Sequence, residues 1–397
     1  MSPGTPSVTP TSTSIPTIPP RAALAAPDAL WIDLRSPGEF AVDAPPGAHN
    51  VPLFDDVERA VVGTLYKRRS PEEAFREAQD ATRAKIAELV GSIAELVGWS
   101  VPPVDLAQRV DAMCAGGIAG LESELKLAST DRAPERAVVL SCWRGGLRSR
   151  SVVALLRSLG LDRAVLVEGG YKAYRAEVRA FLETWQPPTS FVLRGLTGVG
   201  KSLVLRAIER LRPGWTVDLE ALAGHRSSIL GMVGLSPVSQ KAFESRLRVR
   251  LEAGLPGLCV LEGESRKVGD TILPPRIWDA LQAGTSIELT ATIPQRVDVL
   301  IDDYLAQPAN RDQLARQLPF VEERLGAKWS GRLVGLLAER RDAELVELLL
   351  EHYYDPLYRH SERGYRYALR VDACPPERAA REIVDWIESR TAVAPGP

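Results

Sequence analysis

Phe191-Val-Leu-Arg-Gly195-Leu-Thr-Gly198-Val-Gly200-Lys201-Ser202 is the stretch that decides the fold of the C-terminal half. An apolar run enters a glycine-rich turn and continues into the helix-forming stretch Leu203–Leu211. It reads as strand, loop and helix, with the spacing G-x-x-x-x-G-K-[ST]. Gly195, Gly198 and Gly200 let backbone N–H groups wrap a phosphate, and Lys201 adds a point charge. Ser202 can hold Mg²⁺ when a metal–nucleotide is bound, and a diphosphate without a base fits the loop equally well. The usual second motif is an apolar strand ending in a carboxylate. Gly257-Leu-Cys-Val-Leu-Glu262, followed by Glu264, is the candidate, with a solvated acidic loop as its alternative. Asp218–Ser228 adds a site edge through His225 and Arg226, where His225 reads either as a satisfied polar residue or as a catalyst.

Upstream, Trp185-Gln-Pro-Pro-Thr-Ser190 has linker composition and puts a domain boundary at 186/187. Before it, strands are expected at Ala29–Asp33, Ala137–Ser141 and Ala164–Val167, alternating with helices. Two α/β domains with parallel sheets follow, over 28–186 and 187–397. Residues 71–128 read as a mainly helical block, closed at Pro102-Pro103 after a doubled IAELVG. Residues 1–27 form an expected disordered tail, because the first 20 hold six Pro and nine Ser or Thr.

The N-terminal domain carries its own turn. Cys142-Trp-Arg-Gly-Gly-Leu-Arg-Ser149 lies between an apolar strand and an amphipathic helix. Loop amides and the positive helix end would converge on the Cys142 sulfur there, with Arg144 and Arg148 adding full charges. Gly145 and Gly146 give the loop its freedom. Such surroundings are expected to lower the thiol pKa and yield a nucleophile in an anion-binding cradle. Cys142 and Arg148 also bracket five residues, the spacing of cysteine-dependent phosphatases, although Ser141 stands where many of those carry His.

Composition narrows the partners. In 397 residues, 49 basic side chains face 51 acidic ones, so binding of nucleic acid by bulk charge is excluded and any polyanion site must be local. The stretch Lys241–Arg250 and the aromatic run Tyr353–Tyr358, with Arg359 and His360, could touch RNA or simply be a solvated face and core packing. Four widely spaced cysteines make a zinc site or disulfide scaffold improbable. Without a signal peptide or an apolar run of spanning length, the cytoplasm is the expected compartment.

Asp33-Leu-Arg35-Ser-Pro-Gly-Glu-Phe40, Gly47–Pro52 and Val167-Glu-Gly-Gly170 resemble the rhodanese (sulfurtransferase) domain, with the helical block as an insertion. That resemblance marks Asp33 and Arg35 as further site candidates. Fused to a P-loop domain, the whole resembles the tRNA 2-selenouridine synthase family from about residue 28 onward. The likeness includes Val62–Lys67, Leu219–Ser228, Ser239–Glu244, Glu264–Arg266 and Tyr353–Pro356. Departures fall at Ala221 and Ser227, where glycines are expected, and at Gly263, where an acidic residue is common. The resemblance implies conversion of wobble 2-thiouridine to 2-selenouridine in tRNAs for Lys, Glu and Gln. It further implies an S-geranyl intermediate, geranyl diphosphate and selenophosphate as substrates, and an enzyme supplying selenophosphate as a partner. A cysteine phosphatase joined to a small-molecule kinase is the rival reading.

Overall fold

The structure is a computed structural model and describes residues 14–255, 257–357 and 364–391. The chain divides into two compact units, Met1–Ala180 and Phe181–Pro397. The division falls inside a helix, ahead of the 186/187 boundary expected from linker composition.

The first unit is a six-stranded parallel sheet. Its strands are β1 (Ile15–Ile18), β2 (Leu30–Asp33), β3 (His49–Asn50), β4 (Leu127–Ser129), β5 (Val138–Ser141) and β6 (Ala164–Val167), in the order β3-β2-β5-β6-β1-β4. Every residue of β5 and β6 is buried, as befits central strands covered on both faces. One expectation is corrected here. Order begins well before residue 28: β1 pairs with β6 and β4, and Ile15 and Ile18 are buried in the core. Proline- and threonine-rich composition hid two isoleucines that bury against the sheet. The mainly helical block 71–128 runs into β4, an edge strand beside β1.

The rest of that block is helical: α1 (Pro71–Val97), α2 (Leu106–Cys114) and α3 (Gly117–Glu124). Ser70 caps α1 by accepting from the Glu73 N–H, and the doubled IAELVG lies on it. Ile86, Leu89, Val90, Ile93 and Val97 recur at helical spacing and form its buried stripe. Gly98 ends α1 in the left-handed conformation. The helix therefore stops four residues before Pro102-Pro103, which lie in the following loop.

In the second unit, β7 (Thr189–Arg194), β8 (Thr216–Val217), β9 (Leu258–Glu262), β12 (Thr285–Thr290) and β13 (Tyr367–Asp372) form a parallel sheet ordered β13-β12-β7-β9-β8. A small hairpin, β10 (Lys267–Val268) with β11 (Thr271–Ile272), stands apart. The centre of this sheet is β7, and its apolar residues pack against the buried stripe of the helix that follows it. Among the described residues no helix is long and apolar enough to cross a membrane.

Candidate active sites

Both chemistry-bearing loops leave the C-terminal ends of central parallel strands, where crevices form in open α/β sheets. Cys142 follows β5 directly, and α4 (Leu147–Ser158) begins after Gly146. Its side chain is buried in the apolar cluster of the unit, with Sγ 3.0 Å from Ser149 Oγ. The loop is clamped by the turn after β6. The N–H groups of Tyr171 and Lys172 donate to the carbonyls of Cys142 and Trp143 at 2.9 and 3.0 Å, at the start of α5 (Gly170–Thr184).

Arg144 is exposed and Arg148 half-buried, so the two guanidiniums are not equivalent. Asp33 and Arg35 are brought near this loop through Tyr171. Arg35 is buried, ion-paired to Asp33 at 2.6 Å, and stacks 3.6 Å from the centroid of the Tyr171 ring. It also donates to the backbone carbonyls of Glu39 and Asp43. The Tyr171 hydroxyl donates to Asp43, and burial, reinforced by that carboxylate, raises its pKa. Since the Tyr171 N–H holds the Cys142 carbonyl, this buried knot fixes the backbone at Cys142. Asp43 and Tyr171 are not candidates on sequence, where Val167–Gly170 carries only a family likeness.

The second loop joins β7 to α6 (Lys201–Leu211). Gly198 has φ +77°, and a Cβ there would lie 2.9 Å from the Arg296 carbonyl, so the loop depends on its missing side chain. Lys201 Nζ donates to the Gly195 carbonyl at 3.2 Å. Arg296, on α9 (Ile293–Leu305), donates to the Thr197 carbonyl and is paired with Asp355. This buttress has no motif of its own in the sequence.

Ser202 Oγ lies 3.2 Å from both Glu220 and Glu262 carboxylates. Glu220 belongs to the short helix α7 (Leu219–Ala223), and its own N–H donates to Glu262 at 2.7 Å. One oxygen from each of Glu220, Glu262 and Glu264 lies within 4.8 Å of the others. Burial is the first cause raising all three carboxyls. It pushes Glu220, with help from the charge of Glu264, to about 8, and raises Glu262 well above the ordinary range. Such a set suits a hard divalent cation, which takes oxygen ligands and discharges exactly this repulsion. Glu262 and Glu264 were candidates on sequence. Glu220 was not, since only the folded turn after β8 brings it to Ser202.

Arg226 lines the same pocket as Lys201 and Ser202, stacked over Tyr304 at 4.7 Å. His225 stands apart: its ring is wedged against Gly231 and Gly269, and burial lowers its pKa. Its buried Nδ1 has no hydrogen-bond partner among the described residues. On α8 (Gln240–Glu252), Arg248 is buried while Lys241 and Arg246 are exposed, so the basic stretch is no continuous face. Tyr353 and Tyr354 are buried against each other, and Tyr358, Arg359 and His360 lie outside the described residues.

A family model described as "tRNA 2-selenouridine synthase AAA domain" matches residues 188–393. The chain belongs to the tRNA 2-selenouridine synthase family. A relative of that name from Cupriavidus pinatubonensis is 31% identical over 91% of this chain and 95% of its own length. Another, from Chromohalobacter salexigens, is 30% identical over 90% of this chain and 94% of its own. The N-terminal domain of a putative ATP/GTP binding protein from Clostridium difficile 630 matches at 30% identity. It covers 40% of this chain and 95% of that one, at a TM-score of 0.29. Family membership extends across both units, and both loops fall inside the matched span of the relatives.

Proposed function

We propose that this chain converts wobble 2-thiouridine of tRNA to 2-selenouridine in two stages, one at each loop. The observation that carries this reading is the joint presence of a thiol-bearing amide loop and a phosphate loop in one chain whose relatives are named for that product.

In the first stage the thiocarbonyl sulfur attacks C1 of geranyl diphosphate, the C–O bond breaks, and diphosphate leaves. Gly195–Ser202 holds that diphosphate through backbone N–H groups and Lys201, with Arg226 on the same wall. Glu220, Glu262 and Ser202 would hold Mg²⁺, which when bound supplies positive charge for the leaving diphosphate. Alkylation turns a poor leaving group into a thioether that can depart from C2.

In the second stage selenium from selenophosphate bonds to C2, the C2–S bond breaks, and geranylthiol leaves with a proton. Water splits the Se–P bond to release phosphate. Cys142 is the nucleophile of this stage: its thiolate displaces geranylthiol at C2 and is itself displaced by the selenium of selenophosphate, while the loop amides with Arg144 and Arg148 offset the anionic charge. A selenophosphate-forming enzyme is the matching partner, and the anticodon stem-loops of tRNAs for Lys, Glu and Gln are the substrates. With net charge near neutral, tRNA affinity depends on local Arg clusters and falls as salt rises.

The test is mass spectrometry of wobble nucleosides after incubation with thiolated tRNA, geranyl diphosphate and selenophosphate. Cys142→Ser is expected to stop at S-geranyl-2-thiouridine. Lys201→Ala is expected to lose geranylation yet still selenate pre-geranylated tRNA. Equal loss of both activities in both variants would overturn the division of labour, and ATP turnover without tRNA would favour the kinase reading.

A further inference from the structure

The insertion of the first unit leaves space that the mechanism above does not use. Along α1, Ala78 and Thr82 lie between the larger Phe75 and Ile86, facing Leu147, Arg148 and Val152 of α4. Protein cores are ordinarily close-packed. Here the small side chains leave a mostly apolar cavity of about 90 Å³, open to solvent at its mouth.

The chemistry of the wall is one-sided. Thr82 Oγ donates to the Ala78 carbonyl, Ser151 Oγ to the Leu147 carbonyl, and Gln79 Nε2 to Asp111. These polar groups are already engaged within the fold and ask nothing of a ligand, which leaves an apolar surface. Arg148 is the charged residue of the wall, and it stands on the first turn of α4, directly after the Cys142 loop. Its neighbour Ser149 touches the Cys142 sulfur, and Cys142 packs in the same apolar cluster as Ile86 and Val152. Through Arg148 the cavity borders the helix start that follows the Cys142 loop. Free geranyl diphosphate is a poor occupant, since a diphosphate calls for the many donors that Gly195–Ser202 supplies. An uncharged terpene chain already joined to sulfur makes no such demand.

We infer that this cavity receives the ten-carbon geranyl arm of S-geranyl-2-thiouridine during selenation, so that C2 of the base is presented to the Cys142 loop. The inference rests on the geranylation reading given above and assigns the arm its place. Anchoring the chain of the leaving thiol also makes the geranylated base, rather than its thiolated precursor, the species that the selenation loop accepts.

The half-buried Cys114 is part of the wall and reports occupancy directly. Full-length wild-type protein is treated with N-ethylmaleimide alone, with the S-geranyl-2-thiouridine nucleoside, or with 2-thiouridine, and peptides are followed by mass spectrometry. Alkylation of Cys114 is expected to slow at least fivefold with the geranylated nucleoside only, while Cys374 in the second unit keeps its rate. Equal rates under all three conditions overturn the inference. Ala78→Phe, checked for fold by circular dichroism, gives an independent arm. Selenation of S-geranyl tRNA is expected to fall at least tenfold, with recovery on an S-dimethylallyl substrate whose chain is half as long. Equal losses on both substrates, or none, count against the cavity. Should wild-type protein neither geranylate nor selenate, the proposed function fails. Should it do both while Cys114 stays unprotected and Ala78→Phe stays active, the cavity assignment alone fails.

Discussion

Gly170→Ala probes whether the placement of Cys142 is rigid. Gly170 opens α5 with φ +59°, and a Cβ built there would lie 2.4 Å from the Cys142 carbonyl oxygen and 2.5 Å from the Gly145 nitrogen. Both are backbone atoms, so no flexible side chain can swing away. Real Cβ contacts respect 3.0 Å, so the loop must retreat by about 0.6 Å from the turn that clamps it. Left-handed backbone costs alanine a further ~1–2 kcal/mol, which lowers the melting temperature of a unit this size by roughly 2–8 °C. Misplacement by 1 Å can cost about a hundredfold in rate, so a shift of this size is expected to slow selenation roughly tenfold or more. The assay is single-turnover selenation of an S-geranylated anticodon stem-loop, alongside a thermal melt. A lowered melting temperature with an unchanged rate would refute the reasoning, since strain would then be absorbed without moving the nucleophile.

Two further outcomes follow from titrating groups in the second unit. With Glu220 pushed up to about 8 by burial and the neighbouring Glu264 charge, Mg²⁺ must displace a proton to bind it. Calorimetric Mg²⁺ affinity is therefore expected to rise from about pH 6.5 to about pH 9, and the rise should flatten in Glu220→Gln; identical profiles would remove Glu220 from the ligand set. Burial holds His225 below its usual 6.5, so it contributes stability above about pH 6.5 that is lost as pH falls through the folded value. The melting temperature of wild type should drop more on acidification than that of His225→Phe, and parallel curves would contradict this.

The central strands were legible because each is a short apolar run ending at a turn signal: β5 runs into Cys142, β6 into Gly169-Gly170, and β7 into Gly195. Burial on both faces makes such runs continuous rather than alternating. The same logic failed for β1, whose Ile15 and Ile18 sit among prolines and threonines; only the pairing partners β4 and β6, distant in sequence, give that segment its energy. Proline was over-read at Pro102-Pro103, whereas Gly98 had already closed α1 through its left-handed backbone. At the sites, residues within one motif were legible and residues from elsewhere were not. Lys201 and Ser202 announce themselves by spacing. Glu220 and Arg296 reach the loop from separate elements, and no local pattern marks them. Arg35 illustrates the opposite case, a motif residue that the fold buries and pairs with Asp33.

The two loops share an architecture and differ in their surroundings, and that difference fits the division of labour proposed above. Both follow central parallel strands and both run into the N-terminus of a helix. Around Ser202, however, three carboxylates crowd together, so a diphosphate can settle there only if protons or a divalent cation offset their charge. Around Cys142 the walls are apolar, with guanidinium groups at Arg144 and Arg148. An acidic, cation-dependent pocket suits release of diphosphate but would repel an incoming selenium anion. An apolar pocket edged by guanidiniums suits that anion and an alkylated base, yet supplies too few donors to hold diphosphate. Neither environment serves both stages, and a near-neutral chain that separates them can give each intermediate the charge it requires.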